Sequence, residues 1–300
     1  MVYHSFLKGN SFMRKSICLI ALGISLFNDP IPVDASTHAW VVDWDNSSYT
    51  EYKKDKSHYS GVSNFAVTFN EDLSMSIPRE IKGKNTYLSF VNDDVKVAKS
   101  QDLLKELLRD DHSMDNLIND MIKVSKGYYG VELDFEGFWK DKELTKKYMQ
   151  FTYRLYRQCL KNNLKLRIVL EPSFTNQDFI KGPEYVVMAY NLYGKHSGPG
   201  PKANYEFIDK LLEKSKALPN VSFAIANGGC LWGDKSIYLT YNQIQYLEPT
   251  NISRDKSDVL VADTKHGKVW YADEVTIKNW TKYINDKGYN VSIWRLGGTK

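Results

Sequence analysis

Cysteine is scarce in this sequence: Cys18, Cys159 and Cys230 are its three thiols in 300 residues. Cys18 falls in an N-terminal segment expected to be removed. The other two lie far apart on different expected elements, so neither a disulfide framework nor a cysteine metal site is expected. The six histidines are scattered without the spacing of zinc ligands, and no cofactor is expected. An excess of one charge is also lacking. The 40 Lys and Arg against 36 Asp and Glu leave a formal net charge of +4. With no long basic run, nucleic acid is not an expected partner. No internal repeat or low-complexity tract is evident. No Gly-x-Gly-x-x-Gly loop follows the first apolar strand, which weighs against a dinucleotide-binding sheet. The apolar run from Ile17 to Phe27 is too short to span a bilayer comfortably, where about 20 residues are needed.

What that run does offer is a targeting signal. Arg14 and Lys15 precede it, and Val33-Asp34-Ala35 follows with small residues at a signal-peptidase spacing. The expectation is a signal peptide over residues 1–35 and an exported chain, 36–300, secreted or held in the cell envelope with no membrane attachment. An uncleaved anchor is the lesser alternative. The exported chain is rich in aromatics, with 7 Trp and 20 Tyr in the whole sequence. They serve equally as core and as flat platforms for sugar faces, and composition does not choose between the two.

After residue 36 apolar strands alternate with amphipathic helices. Strands are expected at 38–45, 63–69, 86–92, 128–136, 164–171, 184–191, 221–227 and 290–296. Helices are expected at 100–110, 113–126, 141–162, 203–217 and 273–287. The helix at 141–162 shows its period through Leu144, Tyr148, Phe151, Leu155 and Leu160. Residues 46–62, polar and rich in Tyr and Lys, read as loop. Residues 229–271 read as an insertion between the seventh and eighth strands, with a short helix near Tyr241 and a small hairpin around His266-Gly267. Eight strands over about 260 residues match an α/β fold of the (β/α)8 TIM-barrel type, with a doubly wound open sheet as its rival.

The richest stretch is Gly-Tyr-Tyr-Gly-Val-Glu-Leu-Asp-Phe-Glu at 127–136. In a strand, side chains alternate, so Glu132, Asp134 and Glu136 share one face and Val131, Leu133 and Phe135 the other. Three carboxylates pointing into a barrel are costly as structure alone, because buried acids need partners or protons. A strand-end acid that holds its proton beside a carboxylate that does not is the chemistry of glycoside cleavage. That reading makes Glu136 a general acid and Asp134 a charged, orienting group. A salt-bridged acid row and a hard-metal site remain alternatives on these residues alone.

Three segments together resemble a known family. Tyr129-Gly130-Val131-Glu132-Leu133-Asp134-Phe135-Glu136 resembles the Asp-Gly-x-Asp-x-Asp-x-Glu signature of family 18 glycoside hydrolases. Met188-Ala189-Tyr190-Asn191 resembles its Met-x-Tyr-Asp segment, and Ser292-Ile293-Trp294-Arg295-Leu296-Gly297 its eighth-strand Trp motif. The resemblance runs over most of residues 38–300. Ser197-Gly198-Pro199-Gly200-Pro201, Tyr241-Asn242-Gln243 and Val269-Trp270-Tyr271-Ala272-Asp273-Glu274 point within the family to the bacterial branch of spore-cortex-lytic and germination-type N-acetylglucosaminidases.

The resemblance implies a substrate-assisted retaining hydrolase, an exception to the two-carboxylate scheme. Glu136 would protonate the glycosidic oxygen, Asp134 would hold the sugar's acetamido N–H, and Tyr190 would donate to the acetamido oxygen region. Trp294 would form the floor. Glu132, Asn191 and Met188 would line the substrate site with them, and Asn92 and Trp270 are even candidates for sugar contacts. Asp43, Trp44, Glu171, Asn227 and Trp232 are weaker ones. The expected partner is a polysaccharide containing β-linked N-acetylglucosamine, such as peptidoglycan or chitin, and a monomer is expected. A lectin-like protein on the same fold, or an endo-N-acetylglucosaminidase acting on N-glycans, are the alternatives. The chain departs from the family at Tyr129, Glu132 and Asn191, where the signatures carry Asp. That puts the proton relay and pH optimum in question.

Overall fold

The computed structural model describes residues 37–81, 83–94 and 96–297. The expected signal peptide and Cys18 lie outside the described residues. Eight parallel strands close on themselves. They are β1 (His38–Val42), β2 (Gly61–Phe69), β4 (Thr86–Asp94), β5 (Gly130–Asp134), β6 (Lys165–Leu170), β7 (Glu184–Met188), β8 (Val221–Ala226) and β14 (Val291–Trp294). Each pairs with the next, and β14 returns to β1, which also pairs with β2. The short β3 (Met75–Ser76) adds antiparallel to the outer end of β2. Closure makes this a (β/α)8 barrel and removes the open-sheet alternative.

The strand period explains the layering. Outward residues such as Val131, Leu133, Ile168, Val187 and Phe223 pack with the helices into the main core. Inward residues Trp40, Val169, Val186, Met188, Tyr190, Ala224 and Ala226 fill the barrel, with Phe65 and Trp294 against them. Among the described residues the helices are α1 (Asn46–Lys54), α2 (Gln101–Leu107), α3 (Asp111–Val124), α4 (Lys142–Lys161), α5 (Tyr205–Lys214), α6 (Tyr241–Gln245) and α7 (Glu274–Asn285). Side-chain oxygens of Asp45, Ser100, Asp110, Asp141, Asn204, Thr240 and Asp273 cap their N-termini, satisfying backbone donors that a helix leaves free.

Three expectations need correction. Residues 46–54 are helical, not loop. Asp45 accepts from Ser47 N–H, and Tyr52 is buried against Val41, Val62 and Leu296, so a cap and one apolar contact outweigh the polar composition. In α4 the inward position is Cys159, while Leu160 is 59% exposed. The first acid-bearing strand ends at Asp134, so Glu136 stands in the loop beyond it.

The insertion lies where the sequence places it but is larger than a hairpin. β9 (Gly228–Trp232), β10 (Ile237–Leu239), β11 (Thr250–Arg254), β12 (Leu260–Thr264) and β13 (Gly267–Ala272) form an antiparallel sheet in the order β10-β9-β13-β12-β11. With α6 it encloses a small core of Leu231, Ile244, Ala262, Val269 and Tyr271.

Candidate active site

The acid row runs along the inner face of β5 and past its end. Glu132 is fully buried, and four donors converge on it. Trp40 Nε1–H (2.6 Å) and Ser89 Oγ (2.5 Å) reach Oε1, while Ser63 Oγ (2.6 Å) and Arg167 Nε (3.0 Å) reach Oε2. Arg167 continues to Glu184 (2.7 Å) and Ser292 (3.2 Å). Ser63 has one proton, and it goes to Glu132, so the 2.8 Å contact with His38 Nε2 is a donation from the imidazole. Burial, with Arg167's charge second, holds His38 well below its usual pKa, consistent with a neutral ring. Four donors use the carboxylate's acceptor sites. Glu132 is therefore the centre of a buried network rather than a sugar contact.

Asp134 is also buried, yet its Oδ1 has no hydrogen-bond partner. Burial, then the charges of Glu136 and Glu132, push its pKa well above the usual carboxylate range. The expectation of a permanently charged Asp134 does not describe the free protein, whose surroundings favour the protonated form.

Glu136 is held by its backbone. Its N–H donates to Asn92 Oδ1 at 2.8 Å, and Asn92 Nδ2 donates back to its carbonyl at 3.0 Å. Asn92 also donates to Ser100 O at 3.3 Å and is buried. It clamps the acid's loop, with no donor left over for a sugar. Gly137 follows at φ +82, a conformation that glycine adopts without a side-chain penalty, and its N–H donates to the Glu171 carboxylate. The Glu136 side chain is 14% exposed and pairs with Lys99 Nζ at 2.6 Å. Burial raises the Glu136 pKa, and Lys99 opposes that only in part.

Tyr190, just past β7, is 8% exposed. Burial, then the charges of Asp134 and Glu136, raise its pKa well above normal, so the hydroxyl stays a donor beside both acids. Met188, one inward step below, packs inside the barrel with Trp40 and Val186. Asn191 begins the following loop at φ +70. Trp294 ends β14 half-buried, its ring edge-on to Phe65 at 4.7 Å and to Trp40 at 5.9 Å. The 61% exposed Trp44 meets Phe65 edge-on at 5.8 Å. Trp270 stands on β13 and packs against the core between strands and helices, not on the acid row. Asn227 clasps Arg295 through Nδ2 to its carbonyl at 2.7 Å, Trp232 donates its indole N–H to Ser197 O at 2.9 Å, and Asp43 is exposed after β1. Among the described residues no cluster of three or more His, Cys, Asp or Glu is arranged to hold a metal ion.

The structure thus gathers Asp134, Glu136, Tyr190 and Trp294 at the C-terminal mouth of the barrel, the face that carries activity in such folds. Sequence reasoning missed Lys99, Phe65, Ser63, Ser89 and Arg167. Four of these had a signal, because they share inward strand parity with known neighbours, and an arginine flanked by Leu166 and Ile168 asks for a buried acid. Lys99 lies in a loop and had none.

No family model and no curated protein sequence matches the chain. Solved structures do. A chitinase from Chromobacterium violaceum matches with TM-score 0.74 at 15% identity, over 89% of this chain and 96% of that one. The Bacillus megaterium spore cortex-lytic enzyme SleL matches with TM-score 0.68 at 15% identity, over 87% of this chain and 70% of that one. A GH18 chitinase from Cycas revoluta, solved in complex with (GlcNAc)3, matches with TM-score 0.71 at 13% identity, over 87% and 94%. The fold of this chain is the barrel that these chitinases and this spore cortex-lytic enzyme share, in agreement with the family resemblance of its three sequence motifs.

Proposed function

We propose that this protein is a family 18 glycoside hydrolase that cleaves β-linked N-acetylglucosamine by substrate-assisted, retaining catalysis. One observation carries the reading: Asp134 keeps a buried oxygen without a hydrogen bond, directly below Glu136 and beside the Tyr190 hydroxyl. A buried acceptor without a partner is uncommon in a folded protein. The N–H of a sugar's 2-acetamido group is a donor of the right kind to fill it.

Glu136 then donates its proton to the glycosidic oxygen as the acetamido oxygen attacks the anomeric carbon. The glycosidic bond breaks, the leaving sugar departs with the proton, and an oxazolinium ring forms. Asp134 releases its proton to solvent as the acetamido N–H takes its place, and the resulting carboxylate balances the positive charge that grows on that ring. Tyr190 fixes the acetamido group, and Trp294 supports the sugar's apolar face. Glu136, now a carboxylate, takes a proton from the water that opens the ring. Asn92 keeps the acid's loop in place throughout. Export through residues 1–35, a monomeric state, and peptidoglycan or chitin as polymer belong to this reading. A second reading, carbohydrate binding without turnover, draws on Lys99, because an acid already paired with a lysine is a poor proton donor.

Purified protein and its Glu136→Gln variant, incubated with peptidoglycan and with N-acetylglucosamine oligomers, distinguish the two by mass spectrometry of the products. Wild-type cleavage is expected, with a loss of about 10²–10⁴-fold or more in the variant. Binding without products from the wild type would establish the non-hydrolytic reading.

A further inference from the structure

The loop that leaves Asn191 meets the first hairpin of the inserted sheet around Tyr238. Lys195 Nζ lies 5.1 Å and Lys202 Nζ 5.3 Å from the centroid of the Tyr238 ring. The Lys195 N–H also donates to the Tyr238 hydroxyl at 3.4 Å. Among the described residues neither lysine forms an ion pair with a carboxylate, and the neighbouring Arg295 is engaged by Asp45 at 2.7 Å. Lys202 is partly buried, and its ammonium makes one side-chain hydrogen bond, to Asn227 O at 3.3 Å. An ammonium has three donors. Burial lowers its pKa to about 8, with Cys230 opposing that shift and Arg295 adding to it.

The place matters as much as the charge. Asn227 follows β8 directly and donates its backbone N–H to Trp294 O at 2.9 Å. One residue therefore separates the Lys202 ammonium from the backbone of the sugar platform. The Lys202 carbonyl accepts from Leu192 N–H at 2.8 Å, two residues beyond Tyr190. Lys202 thus stands at the barrel mouth on the side away from the acids. Tyr238 is 43% exposed beside it, with Trp232 and Tyr193 half-buried nearby. An exposed aromatic rim suits the apolar side of a sugar, and ammonium groups along it suit a carboxylate.

We propose that the Lys195–Lys202–Tyr238 rim is a subsite for the carboxylate of an acidic sugar adjoining the N-acetylglucosamine unit at Glu136. The substrate is then an anionic N-acetylglucosamine copolymer rather than a neutral homopolymer. This rests on the hydrolase reading and narrows it. The shared chemistry is a sugar carboxylate, carried either on a lactyl ether, as in muramic acid, or on the ring, as in a uronic acid.

The test is calorimetric titration of the full protein carrying Glu136→Gln, which keeps oligomers intact. Three tetrasaccharides are compared at low and high salt: the neutral N-acetylglucosamine tetramer, its alternating copolymer with N-acetylmuramic acid, and its alternating copolymer with glucuronic acid. At least one acidic tetramer is expected to bind about tenfold more tightly than the neutral one, the size of one hydrogen bond to a charged group. That advantage should shrink with salt and vanish with Lys195→Met and Lys202→Met combined, and the preferred acid names the source. Lys202→Gln, alone, gives a second and milder variant should the pair fail to fold, with circular dichroism as the check. Equal binding of neutral and acidic tetramers overturns the subsite and leaves the hydrolase reading standing. Parallel loss of neutral binding in the folded variants also overturns it, because the lysines would then act structurally. Binding of none of the three overturns both.

Discussion

A carboxyl group that must give up a proton gains little from a lysine donating to it at 2.6 Å, yet that is how Glu136 is held. Burial works against the charge of Lys99, but Glu136, with Asp134 and Glu171, more than offsets this and its pKa rises. In the proposed reaction the lysine's use comes after proton transfer, when it stabilises the carboxylate that remains. Replacing it removes the largest influence that lowers the Glu136 pKa, while Asp93, Asp134, Glu171 and burial continue to raise it. The general acid works below its pKa. Lys99→Met should therefore move the alkaline limb of the kcat/KM profile to higher pH, and Lys99→Arg should restore it; an unmoved limb would show the lysine to be a bystander. Asp134 makes the complementary case. A carboxyl whose folded pKa lies above its unfolded value binds protons more tightly when folded, so stability falls as pH rises through the unfolded pKa toward the folded one. Asp134→Asn removes that loss. At pH 7 it should stabilise the fold, by about 0.5–2 kcal/mol in urea unfolding, while turnover collapses. A variant less stable than wild type would contradict the protonated, strained state assigned here to Asp134.

At the scale of the element, β5 shows why one row of carboxylates performs two jobs. Glu132 lies level with Ser89 and Arg167 on its two neighbours, where inward side chains from β1, β2, β4 and β6 converge. Asp134 and Glu136 lie one and two steps nearer the mouth, beyond that ring of donors. Breaking a buried ion pair leaves one charge unpartnered and costs about 3–5 kcal/mol. Arg167→Met should lower stability by that order in denaturant unfolding, and a loss under 1 kcal/mol would mean that the serines and Trp40 suffice. The strand's two-residue period was legible without a structure, and with it the apolar outer face of Val131, Leu133 and Phe135. What the period does not give is depth along the barrel axis. The family resemblance placed Glu132 with the sugar-binding residues, and the period could not correct it, because its donors come from strands far off in sequence. Asn92 was misread for the same reason. Its polarity was visible at a strand end, but not that both its amide groups close on the Glu136 backbone.

Across the whole molecule the barrel was legible because closure depends on strand count and alternation, which composition and periodicity carry. The rim was less so, since loops and the inserted sheet are ordered by contacts between distant segments. α1 was hidden by its polar sequence, and Lys99 and Lys202 gain meaning only from groups that loops bring to them. The gathered geometry nonetheless constrains the chemistry of the whole. Glu136 lies at the mouth, while Asp134 lies deeper with a raised pKa and is poorly suited to attack an anomeric carbon. Glu132 is engaged by four donors. In the proposed mechanism no protein carboxylate serves as nucleophile, and the attack comes from the substrate's own acetamido group. Two outcomes follow together. Proton NMR of the first products should show the β-anomer, because two displacements at one carbon restore its configuration. Oligomers without the N-acetyl group, whether glucose tetramers or fully deacetylated glucosamine tetramers, should bind but remain uncut. Cleavage of either, or an inverted first product, would mean that a protein carboxylate or an activated water does the work here assigned to the sugar.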